Sequence, residues 1–242
     1  DNYAYEFVLK NHKKLFNSSP IVFCGVENFD KNSIPSDLKE YVTGVIEYKD
    51  IRRNIQLIKD TIANLDTLYI VSDDTFSSLA IKEQILNEIK EFQKDTKIIF
   101  DNKIEIESLI KKINSLPSNS AVLFTSLYKE KNGKYIAYSK LRNLFNSSIY
   151  PIFALNKIHL GEGVIGGIMV SAQEQGTIAV YKAIEIIQGK KPNEIAISTP
   201  TSKYYFDYDV LKKFNLNNLK VPFLATIVNE PKSFFEENRK FI

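Results

Sequence analysis

The sequence is poor in the residues from which disulfide frameworks and metal centres are built. Its 242 residues include one cysteine, two histidines and no tryptophan. A single cysteine cannot form an internal disulfide, and a structural zinc site takes three or four nitrogen or sulfur ligands. The composition therefore excludes a disulfide scaffold and argues against a zinc site, and we expect neither a metal nor a cofactor.

Features of membrane-spanning and nucleic-acid-binding chains are also missing. No apolar run approaches the roughly 18 residues that a membrane-spanning helix needs, and no signal peptide is visible. The 32 basic and 29 acidic residues leave a net charge of +3 without a basic stripe. Nucleic-acid-binding proteins carry a clearer basic excess. We therefore expect an ordinary globular protein with no nucleic acid as a partner.

What the sequence has is an alternation of strand-length apolar runs with helix-period segments. The runs are short, continuous and rich in β-branched residues, which is typical of strands buried on both faces. They lie at residues 21–26, 42–45, 68–72, 97–100, 121–125, 150–155, 167–170 and 223–228. This alternation predicts the α/β class, with doubly wound parallel sheets flanked by helices.

Amphipathic helices are predicted between the strands. The clearest helix has its apolar residues on one face from Ile51 to Leu65, and two further helices contain Leu79 and Ile106. Residues 178–187 are apolar around most of the helix circumference, which predicts a well-buried helix. The chain opens on a further helix, residues 2–16, whereas a doubly wound unit normally begins with a strand.

Polar residues at the ends of the predicted strands are the candidate binding residues. In open parallel sheets, ligands bind beyond the carboxyl ends of the strands. Glu27 and Asn28 follow the first strand, Glu47 the second, and Ser72 and Asp73 the third. Ser72 and Asp73 are equally well explained as caps of the helix that follows them.

Other residues suggest specific chemistry but have simpler explanations. Gly161–Gly166 spells G-x-G-x-x-G, yet a dinucleotide fingerprint follows a strand and opens a helix. Here a loop precedes the glycines and a strand follows, so we expect a turned or flexible connection. Cys24 has no recognisable base beside it and is expected in the core. We expect His12 at the surface or boundary of its helix, and residues 204–208 in a hydrophobic corner rather than stacked on a ligand.

Six segments, in order along nearly the whole chain, carry a family resemblance. They are residues 20–29, 42–47, 166–176, 182–192, 205–214 and 227–235. The first four resemble bacterial ABC-type substrate-binding proteins with a type I periplasmic-binding fold. The last two are more similar to the version that serves as the extracytoplasmic sensor of membrane histidine kinases.

The resemblance implies two α/β lobes around a hinged cleft. Lobe one would hold residues 1–47 and about 172–195, and lobe two residues 48–171 and about 196–222. Residues 223–242 would form a C-terminal strand and a tail leading toward a membrane segment. The family also has a strand–helix–strand portion upstream of the segment that begins at Asp1, and this sequence lacks it.

A ligand would lie in the cleft and favour the closed state without being chemically changed. One wall would supply Glu27, Asn28 and Glu47, and Gln173 would lie near the hinge. The other wall would supply Ser72, Asp73, Thr125, Ser126 and Tyr128. No catalytic residue is expected.

The residues around the predicted cleft favour some ligands over others. Glu27, Glu47, Asp73 and Asp74 are acidic and no arginine accompanies them, so an anionic ligand would meet like charge. A small neutral or amine-bearing molecule fits better, and amino acids are among the candidates.

Three functions follow from these observations. The leading one is an extracytoplasmic sensor domain of a membrane histidine kinase, tethered beyond residues 231–242, with a homodimer left open. The alternative is a solute-binding protein that delivers its ligand to an ABC transporter. A nucleotide-dependent enzyme, based on the glycine run, is the third.

Overall fold

The computed structural model describes residues 1–216, 221–222 and 224–231. Its helices are α1 (Asn2–Leu15), α2 (Ile51–Thr61), α3 (Phe76–Glu88), α4 (Ile106–Asn114), α5 (Tyr138–Ser147), α6 (Ala172–Ile187) and α7 (Tyr208–Lys213). Its strands are β1 (Ile21–Val26), β2 (Val42–Ile46), β3 (Thr67–Val71), β4 (Lys97–Asp101), β5 (Ser120–Phe124), β6 (Ile152–Ala154), β7 (Gly166–Met169), β8 (Lys203–Asp207) and β9 (Thr226–Val228).

The smaller sheet is formed by β1 and β2, which run parallel with Ile21 opposite Val42. A bridge from Val45 to Ser198 brings a later part of the chain alongside β2. Helix α1 packs on β1, and α6 packs on both strands. The carboxyl ends of β1 and β2 therefore lie side by side at one edge of this sheet.

The larger sheet has seven strands in the order β4-β3-β5-β6-β7-β8-β9. Every neighbouring pair is parallel except β7 and β8, which are antiparallel. At this pairing a Cβ on Gly166 would come within 2.1 Å of the Tyr205 carbonyl oxygen, so only glycine fits there. The last glycine of the glycine run therefore belongs to a strand rather than to a nucleotide-binding turn.

Both faces of the larger sheet are covered, which explains the continuous apolar runs of its strands. Because side chains alternate along a strand, Leu68 and Ile70 pack under α2 and α3, whereas Tyr69 and Val71 pack under α4 and α5. The predicted α/β class, with mainly parallel sheets flanked by helices, is confirmed.

The chain passes between the two sheets at the end of β2, at the end of β7, and between Ser198 and β8. Asp50 caps α2 at the first passage and Ser171 caps α6 at the second. The division into lobes at the boundaries given above stays a prediction. Residues 232–242, on which the predicted tail falls, and Phe223 lie outside the described residues.

Helix α6 is not well buried, contrary to the prediction. Val180, Tyr181 and Ile187 are 59%, 64% and 84% exposed. Its buried positions are polar instead, because Gln175 reaches the ends of β1 and β2 and Lys182 donates a hydrogen bond to the Ala196 carbonyl. The prediction of a well-buried helix was wrong, because apolar residues of α6 are exposed and its buried positions are polar.

Two further predictions are corrected. Cys24 is exposed, because it lies on the opposite face of β1 from the buried Ile21 and Phe23. His12 is buried, since its Nε2 donates to the Ser19 carbonyl at 2.7 Å and its ring packs against Tyr41. The aromatic segment packs into the core as expected, with Tyr205 and Phe206 buried, and it does so as β8 and the start of α7.

Among the described residues, no helix has both the length and the apolar character needed to cross a membrane.

Candidate functional site

A cleft of about 710 Å³ lies where the carboxyl ends of β1 and β2 face the start of α3 and the segments that follow β5 and β6. Pockets that hold small organic ligands typically range from about 300 to 1,000 Å³. The cleft therefore has the size of a small-molecule site, and its residues come from both sheets.

The wall on the side of the smaller sheet is a buried charged triad. Glu27 follows β1 directly and Glu47 follows β2 directly. The ammonium of Lys49 forms an ion pair with Glu27 and lies 3.2 Å from Glu47 Oε1. Among the described residues, Glu27 Oε2 has no hydrogen-bond partner although it is buried. One buried carboxylate oxygen of the triad therefore lacks a hydrogen-bond donor.

The electrostatics of the triad keep Lys49 charged. Burial lowers the pKa of Lys49, but the two facing carboxylates outweigh burial, so its pKa lies above the usual value. Burial raises the pKa of Glu27, Lys49 opposes this, and the like charge of Glu47 adds to it. Glu27 thus takes up a proton more readily than an ordinary glutamate, and the wall is less acidic than its sequence indicates.

Gln175, in the first turn of α6, links the two strand ends of this wall by hydrogen bonds. Its Oε1 accepts the Gly25 amide at 3.0 Å, and its Nε2 donates to Glu47 Oε2 at 3.1 Å. Gln173 was the residue predicted here, near the hinge. Two residues apart on a helix is about 200°, so Gln173 points away from the strands and is exposed.

The opposite wall carries a chain of hydroxyl groups at the start of α3. Thr75 Oγ1 lies 2.6 Å from Asp73 Oδ1 and 3.0 Å from Ser78 Oγ. Ser78 Oγ in turn lies 2.6 Å from Ser126 Oγ, after β5. Both serines line the cleft and are almost fully buried.

Asp73 is a buried residue that accepts hydrogen bonds from several residues of this wall. Its carboxylate accepts hydrogen bonds from the amide and hydroxyl of Thr75 at 3.1 and 2.6 Å, and from the amides of Tyr128 and Lys129 at 2.6 and 3.3 Å. It is 2% exposed and does not line the cleft. Asp73 therefore positions its neighbours and offers little to a ligand.

Large apolar side chains surround the opening of the cleft. Tyr3, Phe76, Tyr128, Tyr135 and Ile158 all line it, and each is at least 45% exposed. The rings of Tyr3 on α1 and Phe76 on α3 meet edge to face with centroids 6.2 Å apart. Exposed apolar groups concentrated at one cleft are typical of a binding site.

The structure brings four of the nine proposed residues to the cleft wall: Glu27, Glu47, Ser126 and Tyr128. Ser72 and Thr125 are fully buried, because their amides continue the ladder of the larger sheet toward Asp101 and Val71. Asn28 lines a separate hollow beside Tyr5. These nine residues were proposed from strand ends together with the two-lobed cleft that the family resemblance implies.

Sequence reasoning missed Lys49, Ser78 and Gln175. Lys49 lies four residues after the predicted strand end at Val45, and Ser78 and Gln175 lie inside helices, so the strand-end rule did not select them. The pair of glutamates offered one signal, because two buried carboxylates call for a nearby cation. Among the described residues, no group of three histidine, cysteine or acidic side chains could hold a metal ion.

Comparison with known proteins gives one family match and several structural likenesses. The family described as "ABC transporter substrate binding protein" matches residues 6–227. No curated protein sequence is significantly similar to the chain.

Two solved structures share the fold at low sequence identity. A Streptococcus pneumonia ABC domain in complex with L-Trp has a TM-score of 0.65 at 16% identity, over 86% of this chain and 72% of that one. A conserved domain protein from Vibrio cholerae has a TM-score of 0.61 at 12% identity, over 92% and 83%.

A third likeness is an open, ligand-free substrate-binding protein with adhesive properties from Clostridium difficile. Its TM-score is 0.57 at 13% identity, over 79% of this chain and 63% of that one. At these identities the three structures show a common fold.

Proposed function

The chain belongs to the family of ABC transporter substrate-binding proteins, and on that premise we propose that it binds a small solute in the cleft without changing it chemically. The observation that carries the proposal is the buried Glu27 in the wall of a cleft of about 710 Å³, whose Oε2 has no hydrogen-bond partner among the described residues. A buried acceptor without a partner is unfavourable, and a ligand that donates a hydrogen bond removes that cost.

The solute we propose is small and bears an amine. An ammonium group can donate to Glu27 Oε2, and the nearby Glu47 adds attraction. The L-Trp complex of the Streptococcus neighbour supports an amino acid as one candidate. Lys49 changes the argument against anionic groups, because it neutralises part of the acidic wall.

Delivery of the solute to an ABC transporter is the role we favour over the sensor of a histidine kinase. The family description names transport, whereas the sensor proposal depends on the likeness of residues 205–214 and 227–235. A membrane tether and a homodimer remain hypotheses attached to the sensor role. Substrate-binding proteins of this family work outside the cytoplasm, and we propose the same location here.

Closure of the two proposed lobes would accompany binding. Residues 1–47 with about 172–195, and residues 48–171 with about 196–222, would approach each other around the ligand. The passages between the sheets support this, since hinges are usually a few residues in such connections. A ligand that touches both walls favours the closed state by its extra contacts there.

The experiment is a thermal-shift screen of amino acids, amines and sugars, followed by calorimetric titration. A ligand at 100 times its dissociation constant adds about 2.7 kcal/mol, which shifts the melting temperature of a chain this size by several degrees. Glu27→Gln is expected to weaken binding about tenfold or more, because one charged hydrogen bond is lost.

Glu83→Gln is the matched control, because Glu83 is exposed on α3 and does not line the cleft. It is expected to bind as the unmodified chain does. The proposal is contradicted when no compound of the screen stabilises the chain, or when Glu27→Gln binds its ligand with unchanged affinity.

A further inference from the structure

We propose that Asn132 is a site of spontaneous covalent modification, at which deamidation converts the asparagine to aspartate or isoaspartate beside the opening of the cleft. The reaction needs water and no enzyme. It goes beyond solute binding, because Asn132 is not one of the residues that line the cleft.

The local sequence around Asn132 favours this reaction. Asn132 is followed by Gly133, and no other asparagine of the sequence precedes a glycine. Deamidation begins when the backbone nitrogen of the next residue attacks the carbonyl carbon of the asparagine side chain. Because glycine has no Cβ, nothing on the next residue hinders that approach and its backbone rotates freely.

The structure places Asn132 at the tip of an exposed turn. Lys129 and Tyr135 are bridged antiparallel, and the Glu130 amide donates to the Lys134 carbonyl at 2.8 Å. Residues 131–135 are all exposed, and Asn132 lies outside the helices and strands. A turn held by exposed hydrogen bonds, without buried side chains at its tip, opens at a low cost in free energy.

Two hydrogen bonds have to break before the reaction can proceed. The Gly133 amide donates to the Glu130 carbonyl at 2.8 Å, and Asn132 Oδ1 accepts the Lys134 amide at 2.9 Å. The first bond occupies the attacking nitrogen and the second fixes the side chain. Because both bonds lie within the exposed turn, opening of the turn alone releases them.

Each step of the reaction balances with water as the co-reactant. In the opened turn the Gly133 amide nitrogen loses its proton and forms a bond to Asn132 Cγ, and the side-chain nitrogen leaves as ammonia. The product is a cyclic imide. Water then adds to either imide carbonyl and breaks its bond to nitrogen, which gives aspartate or isoaspartate.

Asn146 provides a contrast within the same chain. It is exposed as well, but it lies in α5 with the following Ser147. Its Nδ2 donates to the carbonyls of Arg142 and Glu162 at 2.8 and 3.1 Å. The helix holds both the side chain and the next amide away from the geometry of attack, so solvent exposure alone does not make an asparagine reactive.

Modification of Asn132 would change the edge of the cleft. Lys129 and Tyr135, the bridged pair at the base of the turn, both line the cleft, and the Lys129 ammonium lies 3.5 Å from Asp74. Either product adds a negative charge to the turn. Isoaspartate also lengthens the backbone between the bridged residues by one carbon atom, which displaces them relative to each other.

The test follows the folded chain in neutral and in mildly alkaline buffer by peptide mapping with mass spectrometry. The peptide that contains Asn132 is expected to gain one mass unit several-fold faster than the peptide that contains Asn146. Its rate is expected to rise in the alkaline buffer, because the attacking nitrogen has to lose its proton. Asn132→Gln is expected to abolish the gain, since the longer side chain cyclises much more slowly.

The chain unfolded in urea is the reference for the intrinsic reactivity of each asparagine. Folding is expected to slow the reaction of Asn146 far more than that of Asn132. Equal rates of the two asparagines in the folded chain would overturn the inference, and so would an Asn132 that reacts only in urea.

A second measurement tests the consequence for the cleft, which rests on the proposed function. After prolonged incubation the unmodified sequence is expected to bind the best solute of the screen with altered affinity, whereas Asn132→Gln keeps its initial affinity. Unchanged affinity of a fully deamidated sample would contradict the effect on the cleft. A screen without any bound solute would contradict the proposed function alone, because peptide mapping decides the modification separately.

Discussion

Lys49 is the residue on which the charge balance of the cleft depends. It is buried with Glu27 and Glu47, and its ammonium faces both carboxylates. Removing one partner of a buried ion pair leaves an uncompensated charge, whereas replacing the whole set can be neutral. Glu27 and Glu47 can therefore both stay charged in the cleft wall only because Lys49 is buried beside them.

Lys49→Met is expected to lower the free energy of unfolding by about 3–5 kcal/mol, because both glutamates stay buried without their cation. Urea denaturation measures the change. Lys10→Met, at an exposed position of α1, is expected to stay within about 0.5 kcal/mol of the unmodified chain. Adding Glu27→Gln to Lys49→Met should recover part of the loss, and a fully additive double variant would contradict the account.

His159 lies behind the cleft as a buried neutral ring. It stacks on Tyr138 with an interplanar angle of 9° and meets Phe124 edge to face. Tyr138 donates its hydroxyl proton to the Ile158 carbonyl, so His159 Nδ1 donates to the Tyr138 oxygen at 3.2 Å. Burial lowers the pKa of His159 to about 4, and the positive charge of Lys49 acts in the same direction.

The lowered pKa predicts a stability that depends on pH. In the unfolded chain His159 binds a proton at its usual pKa of about 6.5, so unfolding takes up a proton below that pH. The contribution is complete above about pH 6.5 and falls as pH approaches 4, by up to roughly 3 kcal/mol. Denaturation at pH 7 and pH 4 should show a smaller fall for His159→Phe. Equal falls would show that the ring is not held neutral.

Among the elements, α2 and β7 are joined through one buried side chain. Asn54 Oδ1 accepts the Ile168 amide and Asn54 Nδ2 donates to the Ile168 carbonyl, both at 2.9 Å. Asn54 thus supplies the hydrogen-bond partners of two backbone groups of β7. It connects the helix after the first passage between the sheets to the strand before the second.

Asn54→Ala is expected to lower the free energy of unfolding by about 2–5 kcal/mol, since two buried backbone groups lose their partners at about 1–3 kcal/mol each. Asn143→Ala, at an exposed position of α5, is the matched control and should change it by under about 0.5 kcal/mol. Chemical denaturation compares the two, and similar losses would contradict the role of Asn54.

The sequence predicts elements well where local pattern decides them. The strands of the larger sheet that lie between helices were located within one or two residues, because both of their faces are buried. Strand β8 was missed, since it pairs antiparallel with β7 at the distant Gly166. Helix α5 was missed as well, because its buried residues, Leu141, Leu144 and Phe145, are set among polar ones without a side-chain cap.

For the molecule as a whole, the strand-end rule found part of the site. Glu27 and Glu47 follow neighbouring parallel strands, so local sequence places them together. Gln175 joins Glu47 across 128 residues of chain, and no local pattern indicates that contact. Gln175 reaches the two strand ends only because α6 packs against β1 and β2, and that packing is set by the tertiary fold.

Binding is expected to protect both walls of the cleft at once. Hydrogen exchange with and without the best solute of the screen should slow in the segments that contain Glu27 and Glu47 and in the first turn of α3. The reason is that a ligand bound by both walls opposes their separation. Protection of one wall alone would contradict closure, and Glu27→Gln should reduce the effect on both walls.

The most direct test of the central claim is a crystal structure of the chain grown with the solute that stabilises it most. We predict that the solute lies in the cleft, with its amine within hydrogen-bond distance of Glu27. A solute found instead in the surface groove between α4 and α5, beside Ile110 and Leu144, would contradict the account.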